Sequence, residues 1–169
     1  MLSEKMQEAL NTQINKELYS SYLYLSMAAW CESVNLSGFA NWMTVQAREE
    51  VSHAEKFFGY LNERGGRVLL QPIEGPPTEW GSVAEVFGQV LEHEQLVTSL
   101  INGLVKLARS EDDYASEAFL QWFVSEQVEE EASASAAVEK LKLAGDRGGG
   151  LFMLDREMGT RVFTPPAAE

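Results

Sequence analysis

The sequence predicts an all-α protein: a four-helix bundle with one long crossover between its second and third helices, followed by a short fifth helix. In four long segments, mostly apolar residues recur at alternating steps of four and three along the sequence. This spacing places those residues on one face of a packed helix. Short turns separate the first segment from the second and the third from the fourth, whereas a long stretch rich in Pro and Gly separates the middle two. This short–long–short pattern is typical of a bundle with one crossover.

The first two helices are predicted at about residues 3–33 and 37–64. Ser3 is a suitable N-cap for the first helix, and Gly65-Gly66 ends the second. The short turn between them makes the two helices antiparallel neighbours. Their inward faces hold Leu10, Ile14, Glu17, Ser21, Tyr24 and Ala28 in the first helix, and Phe39, Met43, Gln46, Glu50, His53, Phe57 and Tyr60 in the second.

The crossover is predicted at residues 65–81, which contain Pro72, Pro76 and Pro77. Roughly 15 extended residues reach about 50 Å. A helix of about 28 residues is about 42 Å long. The crossover can therefore run the full length of the bundle and make the second and third helices parallel.

The third and fourth helices are predicted at about residues 82–109 and 113–144, again joined by a short turn. Ser82 and Glu85 form the pattern of a capping box at the start of the third helix. The inward faces hold Val83, Phe87, Val90, Glu94, Val97, Ile101 and Leu104 in the third helix, and Ser116, Leu120, Phe123, Gln127, Glu130, Ala134, Ala137 and Leu141 in the fourth.

A short fifth helix is predicted at about residues 151–159, after a flexible glycine hinge at 146–150. A helix of two to three turns is not stable alone, so its apolar residues must dock elsewhere, most simply against copies of the same chain. Residues 164–169 are expected to be a disordered tail. The apolar residues of this helix are Leu151, Phe152, Leu154 and Met158.

Each of the four inward faces is interrupted near its middle by a glutamate, and His53 shares a helix face with Glu50 three residues earlier. One such glutamate would more often reach solvent at the edge of a helix face. Four at matching depth would repel one another unless cations neutralise them, and two divalent ions balance four carboxylates. The pattern therefore predicts a carboxylate-rich two-metal site inside the bundle. The four glutamates are Glu17, Glu50, Glu94 and Glu130.

Composition narrows the class of protein further. A chain of 169 residues with 45% hydrophobic content is expected to form one domain with a sizeable core. The net charge of −13 argues against nucleic-acid binding and suits cation attraction. The single cysteine, Cys31, cannot form an intramolecular disulfide. With no apolar leader-like or membrane-spanning run in the sequence, we expect a cytoplasmic protein that does not enter a membrane.

Over residues 1 to about 163 the sequence resembles the bacterial non-haem ferritins, which form iron-storage shells of 24 subunits. The resemblance implies a ferritin-like domain over 1–163 and a homo-oligomer. It also implies ferroxidase activity, in which O₂ or peroxide oxidises Fe(II) and ferric oxo-hydroxide is deposited in a hollow shell. The residues that carry the resemblance are Glu17, Tyr24, Glu49-Glu50-x-x-His53, Glu94, Glu126-Gln127-x-Glu129-Glu130 and the ending Leu154-Asp155-Arg156-Glu157-Met158-Gly159.

The resemblance also implies two to three iron ions per subunit, in sites A and B that share Glu50 and in a third site, C, towards the cavity. Gln127 would be a polar neighbour of the pair. Tyr24 would be a hydrogen-bond or redox partner of the irons, although an ordinary core tyrosine is an equal alternative. The implied ligands are Glu17, Glu50 and His53 for site A, Glu50, Glu94 and Glu130 for site B, and Glu49, Glu126, Glu129 and Glu130 for site C.

Some positions separate this chain from related classes. Bacterioferritins repeat Glu-x-x-His on the fourth helix, where this chain has Gln127 and Glu130. They bind haem through a Met after the bridging glutamate, where this chain has Val51, so no haem is expected. His93 points about 100° away from Glu94 and is expected at the surface or at an interface.

Two other functional classes remain open from the sequence. One is a di-metal enzyme that activates oxygen for an organic substrate, which a substrate pocket and a monomeric or dimeric state would favour. The other is a structural helical assembly protein with an inactive site, which the absence of iron binding and of O₂ consumption would favour.

Overall fold

The computed structural model describes residues 2–165 and confirms the predicted fold class. Residues 166–169, in the predicted disordered tail, lie outside the described part of the chain. None of the helices in residues 2–165 has both the length and the apolar character needed to cross a membrane. The helices are α1 (Glu4–Ser33), α2 (Ser37–Glu63), α3 (Val83–Ser110), α4 (Tyr114–Ala144) and α5 (Gly149–Met158).

Side-chain caps fix the start of three of these helices. The hydroxyl oxygens of Ser3 and Ser82 accept hydrogen bonds from backbone N–H groups in the first turns of α1 and α3, at 3.0 and 3.1 Å. Asp113 does the same for α4 at 3.1 Å. These acceptors satisfy N–H groups that have no partner within the helix.

The fifth helix begins earlier than the sequence predicted, because two of the hinge glycines are helical. Gly149 and Gly150 form the first turn of α5, and the change of chain direction is confined to residues 145–148. Gly145 and Gly148 have φ angles of 75° and 83° there. This left-handed conformation favours glycine over residues with a Cβ atom.

The crossover lies along α1 for most of the length of that helix. Near the start of α1, Asn11 bonds the backbone of Arg67 and Leu69 at 3.0 and 2.7 Å. Towards the end of α1, Ser26 donates to the carbonyl oxygen of Pro77 at 2.5 Å. The crossover therefore delivers the chain to the end of the bundle where α2 begins, so that α3 runs parallel to α2.

The core consists of two apolar clusters, one toward each end of the bundle. The first surrounds Met27, Phe39 and Phe87 and includes residues of α5. The second surrounds Leu10 and Phe57 at the opposite end. The buried glutamates lie between these clusters along every long helix. The apolar ends thus enclose a polar layer at mid-height.

The short helix α5 packs against the start of α2. Leu36 provides no side-chain cap for α2; instead, the Asp155 carboxylate accepts a hydrogen bond from the Phe39 N–H at 3.0 Å. A Cβ atom on Gly38 would lie only 1.6 Å from the Asp155 carbonyl oxygen. The absence of a side chain at Gly38 therefore allows α5 to approach and cap α2.

We predict that Gly38→Ala displaces α5 and destabilises the chain by about 1–3 kcal/mol, because the added methyl group overlaps backbone that cannot rotate away. Thermal or denaturant unfolding measures this loss. Gly103→Ala in α3 is the matched control, since a Cβ atom there meets nothing within 4 Å. That substitution should be neutral or stabilise the helix by up to about 1 kcal/mol. Equal melting temperatures for the two variants would contradict the proposed close contact.

Candidate metal centre

Three candidate ligands meet in the polar layer between α1 and α2. One ligand atom from each of Glu17, Glu50 and His53 lies within 4.8 Å of the others, and all three side chains are buried. His53 Nδ1 is 3.4 Å from Glu50 Oε2, as expected for residues three apart on one helix. Two carboxylates and an imidazole at this spacing offer a set of ligands that suits one divalent transition-metal ion.

A second group of potential ligands lies on the other side of His53. It consists of His53, Glu126 and Glu130, again with ligand atoms within 4.8 Å of one another. His53 Nε2 is 3.9 Å from Glu126 Oε1. Glu130 is buried, whereas the Glu126 side chain remains 30% exposed. The second group therefore extends from the bundle core towards the surface of α4.

Glu94 lies close enough to Glu50 and Glu130 for its charge to act on both, but it belongs to neither of these two groups. The Tyr24 hydroxyl donates a short hydrogen bond to Glu94 Oε1. Gln127 Nε2 donates to Glu94 Oε2 and to the Glu94 carbonyl oxygen, both at 3.2 Å. These two donors hold the Glu94 carboxylate in position from α1 and α4.

Two glutamines that sequence reasoning did not assign also organise the site. Gln46 Nε2 donates to Glu50 Oε1 at 3.2 Å and to Glu130 Oε2 at 2.8 Å, and so joins α2 to α4. Gln13 Nε2 donates to Glu17 Oε1 at 2.8 Å. Each glutamine precedes its glutamate by four residues on the same helix face, and this spacing is the signal that could have identified them.

Burial raises the pKa of the four buried carboxyl groups in the centre, those of Glu17, Glu50, Glu94 and Glu130. For Glu50 the effect is strengthened by the charges of Glu94 and Glu130, and for Glu17 by the charge of Glu50. The pKa of Glu94 is also raised by burial, against the opposing hydrogen bonds from Tyr24 and Gln127.

Burial likewise raises the pKa of Glu130 from its ordinary value of 4.5 to about 8, with the Glu94 charge adding to the effect. The buried carboxyl groups therefore retain protons that they would lose in water.

These side chains are chemically suited to binding divalent cations. The carboxylates receive hydrogen bonds from neutral groups, namely Gln13, Gln46, Gln127 and Tyr24. Glu17 Oε2 is buried and has no hydrogen-bond partner. A buried acceptor of this kind is unfavourable unless a cation or a donor meets it, and two divalent ions would neutralise four carboxylates.

Two of the four residues predicted for the third site lie apart from these groups. Glu129 is exposed on α4, and Glu49 forms an ion pair with Arg161 at 2.5 Å. Neither residue belongs to the two groups of close ligand atoms. Glu49 and Glu129 therefore differ from the buried carboxylates, because one faces an arginine and the other faces solvent.

The surroundings of the centre include His93, which was expected at the surface or at an interface and is half-buried in the single chain. His93 Nε2 lies 2.8 Å from Ser20 Oγ, and its ring contacts the Tyr24 ring edge-on at 5.9 Å. Burial lowers the pKa of His93 to about 4. Trp122 packs edge-on against His53 at 5.5 Å.

A four-helix bundle with one crossover and a carboxylate–histidine centre defines a class of metal-binding helical proteins. The family model described as "Ferritin-like domain" matches residues 7–144. The chain belongs to the ferritin family, whose members store iron, and this confirms the resemblance recognised in the sequence.

Relatives cover nearly the whole chain. A bacterial non-heme ferritin of Bacteroides fragilis is 47% identical over 161 residues, which is 95% of this chain and 100% of the relative. A probable bacterial non-heme ferritin-like protein of Haemophilus influenzae is 46% identical over 159 residues, covering 94% of this chain and 96% of the relative.

Solved structures agree with this assignment. The open-pore ferritin of the archaeon Archaeoglobus fulgidus is 54% identical, with a TM-score of 0.95 over 96% of this chain and 100% of that chain. An engineered closed form of the same ferritin is 55% identical, with a TM-score of 0.96 over 97% of this chain and 100% of that chain.

We predict that the metal-free protein loses stability as pH rises between about 4.5 and 8. The folded chain keeps a proton on Glu130 that the unfolded chain releases in this window, so unfolding becomes easier as pH rises. Chelator-treated protein should be unfolded with denaturant at several pH values, beside Glu130→Gln. The difference in unfolding free energy between the two proteins isolates the contribution of this carboxyl group. A pH-independent difference would contradict the assigned burial effect.

Proposed function

We propose that each chain is a ferroxidase that oxidises two Fe(II) ions at a centre shared through Glu50. The observation that carries this proposal is the meeting of Glu17, Glu50 and His53 within 4.8 Å inside the bundle, with Glu94 and Glu130 adjoining. Carboxylate and imidazole ligands suit Fe(II) and leave coordination positions open for O₂. Iron here is the substrate, which passes from this centre to storage.

The proposed ligands divide between two ions. Glu17 and His53 bind the first ion, Glu94 and Glu130 bind the second, and Glu50 bridges the two. Support comes from the contact of His53 with Glu50 and from the hydrogen bonds of Gln46 to both Glu50 and Glu130. Binding also displaces the protons that burial keeps on these carboxyl groups, so the affinity for Fe(II) rises with pH.

The oxidation step requires two irons together. Each Fe(II) gives up one electron, and O₂ accepts both with two protons to reach the oxidation level of hydrogen peroxide. Hydrolysis of the ferric ions then yields the oxo-hydroxide that is stored. Tyr24 is placed to hold Glu94 during this cycle, because its hydroxyl already donates to that carboxylate.

We further propose that 24 chains form a closed cytoplasmic shell around the mineral. Phe152 and Met153 of α5 are 62% and 65% exposed in the single chain, which supports burial of this helix against other subunits. The lone cysteine, Cys31, is buried and free, as suits a reducing compartment. Val51 at the position of the haem ligand in bacterioferritins supports a shell without haem.

We predict that Glu50→Ala abolishes rapid oxidation of the first two Fe(II) ions per subunit, because the remaining carboxylates hold one ion at best. The fold and shell should survive, since removing one of several repelling buried charges relieves the metal-free bundle. Stopped-flow absorbance after mixing two Fe(II) per subunit with O₂ measures the rate.

Glu129→Ala is the matched control, because Glu129 is exposed and lies outside the buried pair. It should preserve the fast phase and alter later turnover or the ratio of Fe(II) to O₂. A wild-type initial rate in assembled Glu50→Ala protein would mean that the di-iron centre lies elsewhere.

We predict that the purified protein sediments as a particle of several hundred kilodaltons, because Phe152 and Met153 of α5 are exposed in the single chain and become buried only in an assembly. Analytical ultracentrifugation of the intact chain measures the mass directly. A stable dimer as the sole species would rule out the shell.

A further inference from the structure

A cleft of about 300 Å³ lies between α3 and α4 and reaches Gln127, the side chain that bonds Glu94. Thr98 of α3 and Glu131 of α4 line the same cleft. Thr98 follows Glu94 by four residues, and Glu131 follows Gln127 by four residues, so each pair shares a face of its helix. The sequence therefore places two polar residues of each helix one turn apart beside this cleft.

Hydrogen bonds join these four side chains into one row. The Thr98 hydroxyl donates to Glu131 Oε1 at 2.5 Å. Gln127 Nε2 donates to Thr98 Oγ1 at 3.3 Å and to Glu94 Oε2 at 3.2 Å. Exposure falls along the row, because Glu131 and Thr98 are half-buried, whereas Gln127 is 4% exposed and Glu94 is 1% exposed. The row leads from the surface of the chain to a carboxylate of the centre.

The residues that line the cleft favour passage of a cation rather than of a proton. Glu131, Thr98 and Gln127 offer carboxylate, hydroxyl and amide oxygens, which are ligands that divalent cations accept. Within residues 2–165, no lysine or arginine lines this cleft. A proton could not follow the row, since the Gln127 amide donates to the residue on either side and keeps its own N–H protons.

We propose that this cleft is the path by which a divalent cation reaches the centre within one chain. The inference rests on the proposed function, in which that cation is Fe(II). Glu131 attracts the ion to the mouth of the cleft, and the Thr98 hydroxyl replaces one of its water ligands. Gln127 closes the inner end, because its amide bonds the Glu94 carboxylate from the cleft side. When this amide turns, Oε1 faces the ion and Glu94 is free to bind it.

A residue of the entry path and a residue that supports the centre have opposite effects on release of the ion. A cleft lined by charge of one sign concentrates counter-ions, so removing that charge slows entry. If the charge acts mainly on the ion in transit, release slows as well, because entry and release cross the same barrier. If the charge mainly stabilises the bound ion, its removal accelerates release instead.

The test uses the assembled, metal-free protein and Co²⁺ alone, whose visible absorption reports ligation by carboxylates and imidazole without oxidation. Stopped-flow mixing measures entry, and addition of excess chelator to the loaded protein measures release. In Glu131→Gln, entry should be about tenfold slower, at the low end of the effect of charged clefts on association. Release should be slower too, and the affinity should change far less than the rate of entry. The substituted amide oxygen still accepts from Thr98, so the row of hydrogen bonds is retained.

Two further variants sharpen the comparison. Thr98→Val removes the hydroxyl with little change of shape and should also slow both entry and release. Glu139→Gln is the matched control, because it removes one carboxylate from an exposed position of α4 outside the cleft, where Glu139 pairs with Lys142. Its rates should equal those of the wild type. The difference between Glu131→Gln and the wild type should shrink as salt is added, since salt screens the charge at the mouth.

Wild-type entry rates in both Glu131→Gln and Thr98→Val would overturn the path. Slow entry in Glu126→Gln, with no change in those two variants, would place the path beside His53 instead. Faster release and weaker affinity in Glu131→Gln would also overturn it, because Glu131 would then only support the bound ion. A Co²⁺ spectrum that persists unchanged in Glu50→Ala would instead show that the centre lies elsewhere, and the proposed function would fail together with the path.

Discussion

The burial of four carboxylates at one level of an apolar helix bundle is the constraint on which the rest of this structure depends. Glu17, Glu50, Glu94 and Glu130 are each at most 6% exposed. Carboxylates in an apolar core are tolerated only when bound protons or cations neutralise their charge and hydrogen-bond donors fix their orientation. Protons held on carboxyl groups of raised pKa meet this need without metal, and two divalent ions would meet it with metal. The neutral donors Gln13, Gln46, Gln127 and Tyr24 then orient the carboxylates without adding the positive charge that would compete with an ion.

The remainder of the fold holds the four glutamates at the same level of the bundle. An apolar cluster at each end of the bundle fixes the depth at which the four glutamates meet. The crossover, bonded to Asn11 near one end of α1 and to Ser26 near the other, sets α3 parallel to α2. Gly38 and Asp155 then fix α5 against the start of α2, and Arg161 in the segment that follows pairs with Glu49 of α2.

Helical spacing was sufficient to predict the four helices and the inward position of the five residues Glu17, Glu50, His53, Glu94 and Glu130, because spacing determines which residues share a face. The length and the Pro and Gly content of the middle connection predicted the crossover. Neither feature could predict contacts that depend on how separate segments meet. The capping of α2 by Asp155 and the pairing of Arg161 with Glu49 join residues more than one hundred positions apart. Spacing also could not predict the contacts of His93 with Ser20 and Tyr24 of α1, because its angle on α3 indicates only that it lies off the ligand face.

The central claim is that two metal ions share Glu50 inside one chain. The direct test is anomalous X-ray diffraction from crystals of the protein loaded anaerobically with Fe(II). The account predicts two iron peaks per subunit that both contact Glu50, one also bound by Glu17 and His53 and the other by Glu94 and Glu130. A single peak would contradict it. So would a second iron bound by His53, Glu126 and Glu130 while Glu94 stays hydrogen-bonded to Tyr24 and Gln127.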